Sequence, residues 1–153
     1  MKTLTLFTLL ALLVSGYAFG VDGQFLINQS TVMAAGGFPY KITQSGSYKL
    51  SGNLAVSGSF GIVISAPNVT IDLNGFTIYG GGPSIFDAGI SATSDHRLPG
   101  SVPGLVATGV TIRNGIISGF ANPILSGPPF GPQNPNPEYA EAWILEDLSL
   151  IHI

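Results

Sequence analysis

Two stretches of the chain, Gly61–Ile78 (GIVISAPNVTIDLNGFTI) and Gly109–Phe120 (GVTIRNGIISGF), share one grammar. Short runs of Val, Ile and Thr alternate with polar residues and are punctuated by Asn-Gly, the period-two pattern of strands bounded by tight turns. Set side by side, Asn68–Leu73 (NVTIDL) matches Gly109–Arg113 (GVTIR), and Ala142–Glu146 (AWILE) stands in the same place further on. Another run precedes each of these: Gly61–Ser65 (GIVIS), Gly89–Thr93 (GISAT) and Asn122–Ser126 (NPILS). After Asn74-Gly75 and Asn114-Gly115 come Phe76–Tyr79 (FTIY) and Ile116–Gly119 (IISG). Three series recurring in one order predict an all-β right-handed parallel β-helix, a solenoid with three strands per coil over residues 54–147.

In such a stack, equivalent side chains form rows one strand spacing apart. Val69, Ile71 and Leu73 fall on one face with Val110 and Ile112, while Thr70 and Asp72 fall on the other with Thr111 and Arg113. Glu146 takes the Asp72/Arg113 position, so Asp72, Arg113 and Glu146 are expected to form an outward row of alternating sign. Asn74, Asn114 and Asp147 form a structural ladder at the turn, because short polar side chains tolerate the left-handed backbone of a corner and can bond the neighbouring backbone.

The rest of the 153 residues surrounds this repeat. Only 8% of the chain is charged, against about 25% in ordinary domains. Burial of apolar stripes from every strand leaves few positions free for charge. With 21 glycines and 11 prolines but 45% hydrophobic residues, the chain should fold with many turns rather than stay disordered. A net charge of −3 and the absence of any basic cluster exclude a nucleic-acid partner. Zero cysteines exclude disulfide frameworks, thiol nucleophiles and Cys-based zinc sites.

Residues 1–20 read as a secretory signal peptide: Lys2, an apolar run from Leu4 to Val14, and the small-x-small pair Ala18 and Gly20. The run is shorter than the ~20 residues that span a bilayer. No membrane span is expected, and the mature chain should start near Val21 in an extracytoplasmic compartment, periplasm or cell surface. Residues 21–53 are less regular and are expected to form an N-terminal cap over an otherwise open strand edge. The opposite end looks incomplete. Leu148–Ile153 (LSLIHI) equals the translation of a transposase adapter end used in DNA library preparation, so residues 148–153 are expected to be a non-native tail, an ordinary strand being the alternative. Self-association through this open C-terminal coil is expected.

Two insertions, Ser94–Thr108 and Gly127–Tyr139, fall between the first and second strands of their coils. Insertions on one side of a stack build a binding face or are tolerated surface loops. Asp95, His96 and Arg97 are the binding candidates there. Asn28-Gln29-Ser30 and Asn68-Val69-Thr70 match the glycosylation pattern, which would carry little weight if the source is bacterial.

The runs KITQSGSYKLSGNL, GIVISAPNVTIDLNGFTI and GVTIRNGIISGF together resemble exported bacterial proteins of the right-handed parallel β-helix, pectate-lyase-like class, over most of the mature chain. That class includes polysaccharide lyases, polygalacturonase-like hydrolases, epimerases, tailspike-type proteins and coil proteins without assigned chemistry. The resemblance implies an exported module that binds polysaccharide or serves as a surface scaffold, without a complete catalytic site in this fragment. The alternative is a lyase or hydrolase acting on acidic polysaccharide. Hydrolysis needs a flanking carboxyl pair, yet the sequence has no Asp-Asp pair on one strand, no Asn-Thr-Asp strand and no Gly-His-Gly turn. Lyase chemistry needs a base opposite acidic residues that bridge Ca²⁺. Arg113 with Asp72 and Glu146 offers those atoms, and a row of paired charges is the simpler account. No metal site or other cofactor is expected, Ca²⁺ entering only with the lyase alternative.

Overall fold

The structure is a computed structural model and describes residues 23–82, 87–92, 107–126 and 144–151. In chain order the elements are β1 (Phe25–Ile27), α1 (Gln29–Ala34), β2 (Tyr40–Ile42), β3 (Gly46–Leu50), β4 (Leu54–Ala55), β5 (Phe60–Ile64), β6 (Val69–Asp72), β7 (Thr77–Tyr79), β8 (Ala88–Ala92), β9 (Thr111–Ser118), β10 (Asn122–Ser126) and β11 (Ile144–Ile151). Every strand pair among the described residues is parallel. One sheet runs β1-β3-β6-β9-β7-β4, with β11 also on β9; the other runs β10-β8-β5-β2.

This arrangement corrects the expected all-β solenoid with three strands per coil. Among the described residues there are two sheets and a helix. The second and third strand series share one sheet, because β6 and β7 both lie against β9, a single strand that covers both series. The Asn114-Gly115 pair, whose sequence suggests a break, bends β9 without ending it. Asn114 takes φ 60°, while Gly75 N–H donates to the Asn114 carbonyl at 2.7 Å, so backbone pairing passes through the bend.

The helix also escapes a search for long apolar periods, since α1 has only six residues. Its start is set locally. The Asn28 side chain accepts from the Thr31 backbone N–H at 3.0 Å, and the Thr31 hydroxyl accepts from Asn28 N–H at 2.9 Å, a reciprocal cap that satisfies two donors. Asn28, part of a glycosylation pattern by sequence, therefore has a structural use, and its amide also donates to Ser51 Oγ at 3.0 Å.

The two sheets enclose one apolar cluster. Ile62, Ile64 and Ile90 come from the four-stranded sheet, Ile71, Ile112 and Ile117 from the larger one, and Val32 of α1 joins them. Alternation explains the larger sheet: in β6, Val69 and Ile71 are fully buried while Thr70 and Asp72 are half-buried. In the smaller sheet β5 and β8 are buried on both faces, as their near-continuous apolar or small residues require. There Phe60, Val63 and Ala88 form a second, smaller cluster. Close approach between the sheets fixes Gly89 as glycine. A Cβ at Gly89 would collide with Ile117 Cγ2 of the opposite sheet and stand 2.8 Å from the Pro123 carbonyl.

Tyr48 sits in the core row of β3, 4% exposed, with its ring stacked on Phe25 at 4.9 Å and its hydroxyl donating to the Gln44 carbonyl at 2.8 Å. Burial, with a smaller contribution from Tyr40, pushes this phenol above its ordinary value of 10.0. The unfolded chain therefore loses the proton first. Stability from Tyr48 is complete below about pH 10 and falls as pH rises through the folded-state value. Denaturant titrations in the alkaline range should show this loss, and Tyr48→Phe should flatten it. Gly89→Val should lower the denaturation midpoint by an amount equivalent to roughly 1–3 kcal/mol, because packed cores accept added volume only with strain.

Candidate functional site

The outer face of the larger sheet holds the polar side chains that the strand alternation turns away from the core. Register aligns Lys49 of β3 with Asp72 of β6, Asp72 with Arg113 of β9, and Arg113 with Glu146 of β11. Four rungs of alternating sign result. Beside them runs a hydroxyl row, Ser47, Thr70 and Thr111, with Gln24 Nε2 donating to Ser47 Oγ at 3.4 Å. Beyond the bend, Tyr79 of β7 is 45% exposed and pairs in register with Ser118.

Asp72 organises the centre of this face. Its Oδ1 accepts from Asn74 N–H at 2.8 Å and from Asn114 Nδ2 at 3.2 Å, and its Oδ2 lies 3.3 Å from the Arg113 guanidinium. Three donors hold one carboxylate that is only 14% exposed, while Arg113 is 45% exposed. An aspartate followed by a residue whose N–H it accepts is the local turn that short acidic side chains favour. Asn74 extends the network by donating from Nδ2 to the Leu50 carbonyl at 3.2 Å.

Asn74, Asn114 and Asp147 take φ values of 52°, 60° and 48°. Asn68 does the same at 53°. Among these four bends Asn and Asp occupy every position, the residue types that pay least for a left-handed backbone after glycine. Asp95, His96 and Arg97 lie outside the described residues. Among the described residues no group of three or more His, Cys, Asp or Glu side chains could hold a metal ion. The Asp72 oxygens that Ca²⁺ would need are already engaged by Asn74, Asn114 and Arg113.

Lys49 is the member of the row that sequence reasoning missed. Residues 21–53 lack the regular strand series of the later chain, which hides the match. The signal was nevertheless present: Tyr48-Lys49-Leu50 repeats the apolar-polar-apolar order of Ile71-Asp72-Leu73. A second feature without an obvious signal is Gln29. Its side-chain amide accepts from Ala55 N–H at 3.0 Å and donates to the Ala55 carbonyl at 3.3 Å, standing in for a neighbouring strand at the edge of β4.

No family model, curated protein or solved structure matches the chain. No helix of the described residues is long and apolar enough to cross a membrane.

Removing the amide at the bend separates its two contributions. Asn114→Ala should cost about 1–2 kcal/mol, from the left-handed backbone and the lost bond to Asp72. Asn114→Gly should cost less, since glycine adopts that backbone freely. Arg113→Ala should change stability by less than about 1 kcal/mol, because the pair is half open to water. Chemical denaturation of the three variants reads all of these.

Proposed function

We propose that the chain is an exported module that binds polysaccharide along the outer face of its larger sheet. The observation that carries this reading is the four-rung row Lys49, Asp72, Arg113 and Glu146 beside the hydroxyls of Ser47, Thr70 and Thr111. Hydroxyl, amide and charged groups recur there at one strand spacing, about 4.8 Å. That repeat is close to the length of one pyranose unit, so successive sugars of an extended glycan would meet equivalent groups on successive strands. Tyr79, exposed at the side of this array, offers a ring face on which a sugar can pack. The leader-like pattern of residues 1–20 supports a location where such polymers occur.

A binding role suits the state of Asp72 better than a catalytic one. Both of its oxygens are engaged by Asn74, Asn114 and Arg113, which fixes the carboxylate as part of the scaffold. Lys49, Arg113, Glu146 and Tyr79 remain to contact a ligand.

Affinity electrophoresis through gels containing neutral and acidic polysaccharides tests the reading directly. At least one polymer should retard the chain, and the double variant Lys49→Ala with Arg113→Ala should lose most of that retardation while keeping its circular dichroism spectrum. Uniform failure of the whole panel to retard the unsubstituted chain would overturn the proposal. Release of unsaturated or reducing ends from the same polymers would replace binding with catalysis.

A further inference from the structure

Asn-Gly is a dipeptide in which an asparagine amide is readily lost, because glycine leaves its own backbone nitrogen room to attack. The reaction is intramolecular and needs only water. The Gly nitrogen sheds its proton and bonds to Asn Cγ, Nδ2 leaves as ammonia, and water opens the resulting succinimide at one of its two carbonyls. The product is aspartate or isoaspartate, the second with the main chain rerouted through the side chain and one carbon longer. The sequence holds two such pairs, Asn74-Gly75 and Asn114-Gly115, and both asparagines are exposed to the water the reaction consumes.

The fold restrains the two in different ways. At Asn74 both reacting partners are tied to backbone: Nδ2 donates to the Leu50 carbonyl at 3.2 Å, and the attacking nitrogen, that of Gly75, donates to the Asn114 carbonyl at 2.7 Å. At Asn114 the amide is held by a side chain, Nδ2 donating to Asp72 Oδ1 at 3.2 Å. We propose that Asn114-Gly115 is a latent deamidation site kept unreactive by the Asp72 carboxylate. Asp72 acts twice. Its hydrogen bond restrains Cγ from turning toward Gly115 N, and its charge opposes the anion that this nitrogen becomes on losing its proton. Asn74 N–H and the Arg113 guanidinium fix the carboxylate in that position. The product is disfavoured as well, since a carboxylate at 114 would face Asp72 where a donor stood. Isoaspartate would do more harm. β9 is in register on both sides of residue 114, Arg113 with Asp72 before it and Ile116 with Thr77 after it, and an extra main-chain carbon between those pairs cannot satisfy both. Asp72 therefore guards the strand that joins the two halves of the larger sheet. This goes beyond polysaccharide binding and does not depend on it.

Incubation at mildly alkaline pH, followed by proteolysis and mass spectrometry, reads the two sites separately from the mass gained when an amide becomes an acid. The folded, unsubstituted chain should keep both asparagines, whereas in guanidinium chloride both should be lost at similar rates. In Asp72→Ala, with folding checked by circular dichroism, loss at Asn114 should accelerate roughly tenfold, the rate equivalent of one charge-assisted hydrogen bond. Asn74 keeps its two backbone bonds there and should change much less. Should the alanine variant fail to fold, Asp72→Asn carries the test: it has nearly the same shape without the opposing charge, and Asn114 should still be lost faster than in the unsubstituted chain. Loss at Asn114 as fast in the folded chain as in guanidinium chloride would overturn the proposal. So would an unchanged rate at Asn114 in a folded Asp72 variant, or equal acceleration at Asn74 and Asn114, the mark of general loosening. No glycan enters these measurements, so their outcome is separable from that of the binding proposal.

Discussion

Parallel backbone pairing between strands distant in sequence is the constraint on which everything else rests. β3, β6, β9 and β11 stand side by side in strict register, and each brings its equivalent residue to the same height. Inward positions then repeat as Tyr48, Ile71 and Ile112, and outward positions repeat as Lys49, Asp72, Arg113 and Glu146. A shift of one residue in any pair would exchange those faces. The core and the polar surface are consequently one decision, made by the hydrogen-bond ladder.

The bends are the places where this ladder comes under most stress, and the polar residues gather there. Left-handed backbone at Asn74 and Asn114 would be costly for most side chains. Asp72 offsets that cost by accepting from both residues, from a backbone N–H of one and a side-chain amide of the other. The same carboxylate neutralises Arg113. A single side chain thus shapes the turn, holds the next strand's amide and balances the charge row. Its engagement is why the outer face reads as a rigid array of contacts more than as a set of groups free to move protons.

Edges reveal a second division of labour. Short side chains close one end: Asn28 and Thr31 start α1, and Gln29 imitates a strand against Ala55. These are local devices made of a few hydrogen bonds, and they suffice because β4 presents only two residues at that edge. β11 presents eight, with its apolar side chains half exposed.

Much of this was legible in the residues themselves. Alternation in NVTIDL and GVTIR separates inward Val and Ile from outward Thr, Asp and Arg, and repetition of Asn-Gly marks where the chain bends. Local chemistry suffices for these, since side-chain direction along a strand depends only on parity. The number of sheets was not legible. Whether Asn114-Gly115 ends a strand or merely bends it depends on Gly75 finding the Asn114 carbonyl, a contact between residues far apart in the chain. The helix at Gln29–Ala34 and the place of Lys49 in the charged row were hidden for the same reason: each is decided by what stands next to it across the sheet. Residue pattern determined which side chains turn outward, and tertiary pairing alone decided which of them meet, because register is a property of two strands and is written in neither one.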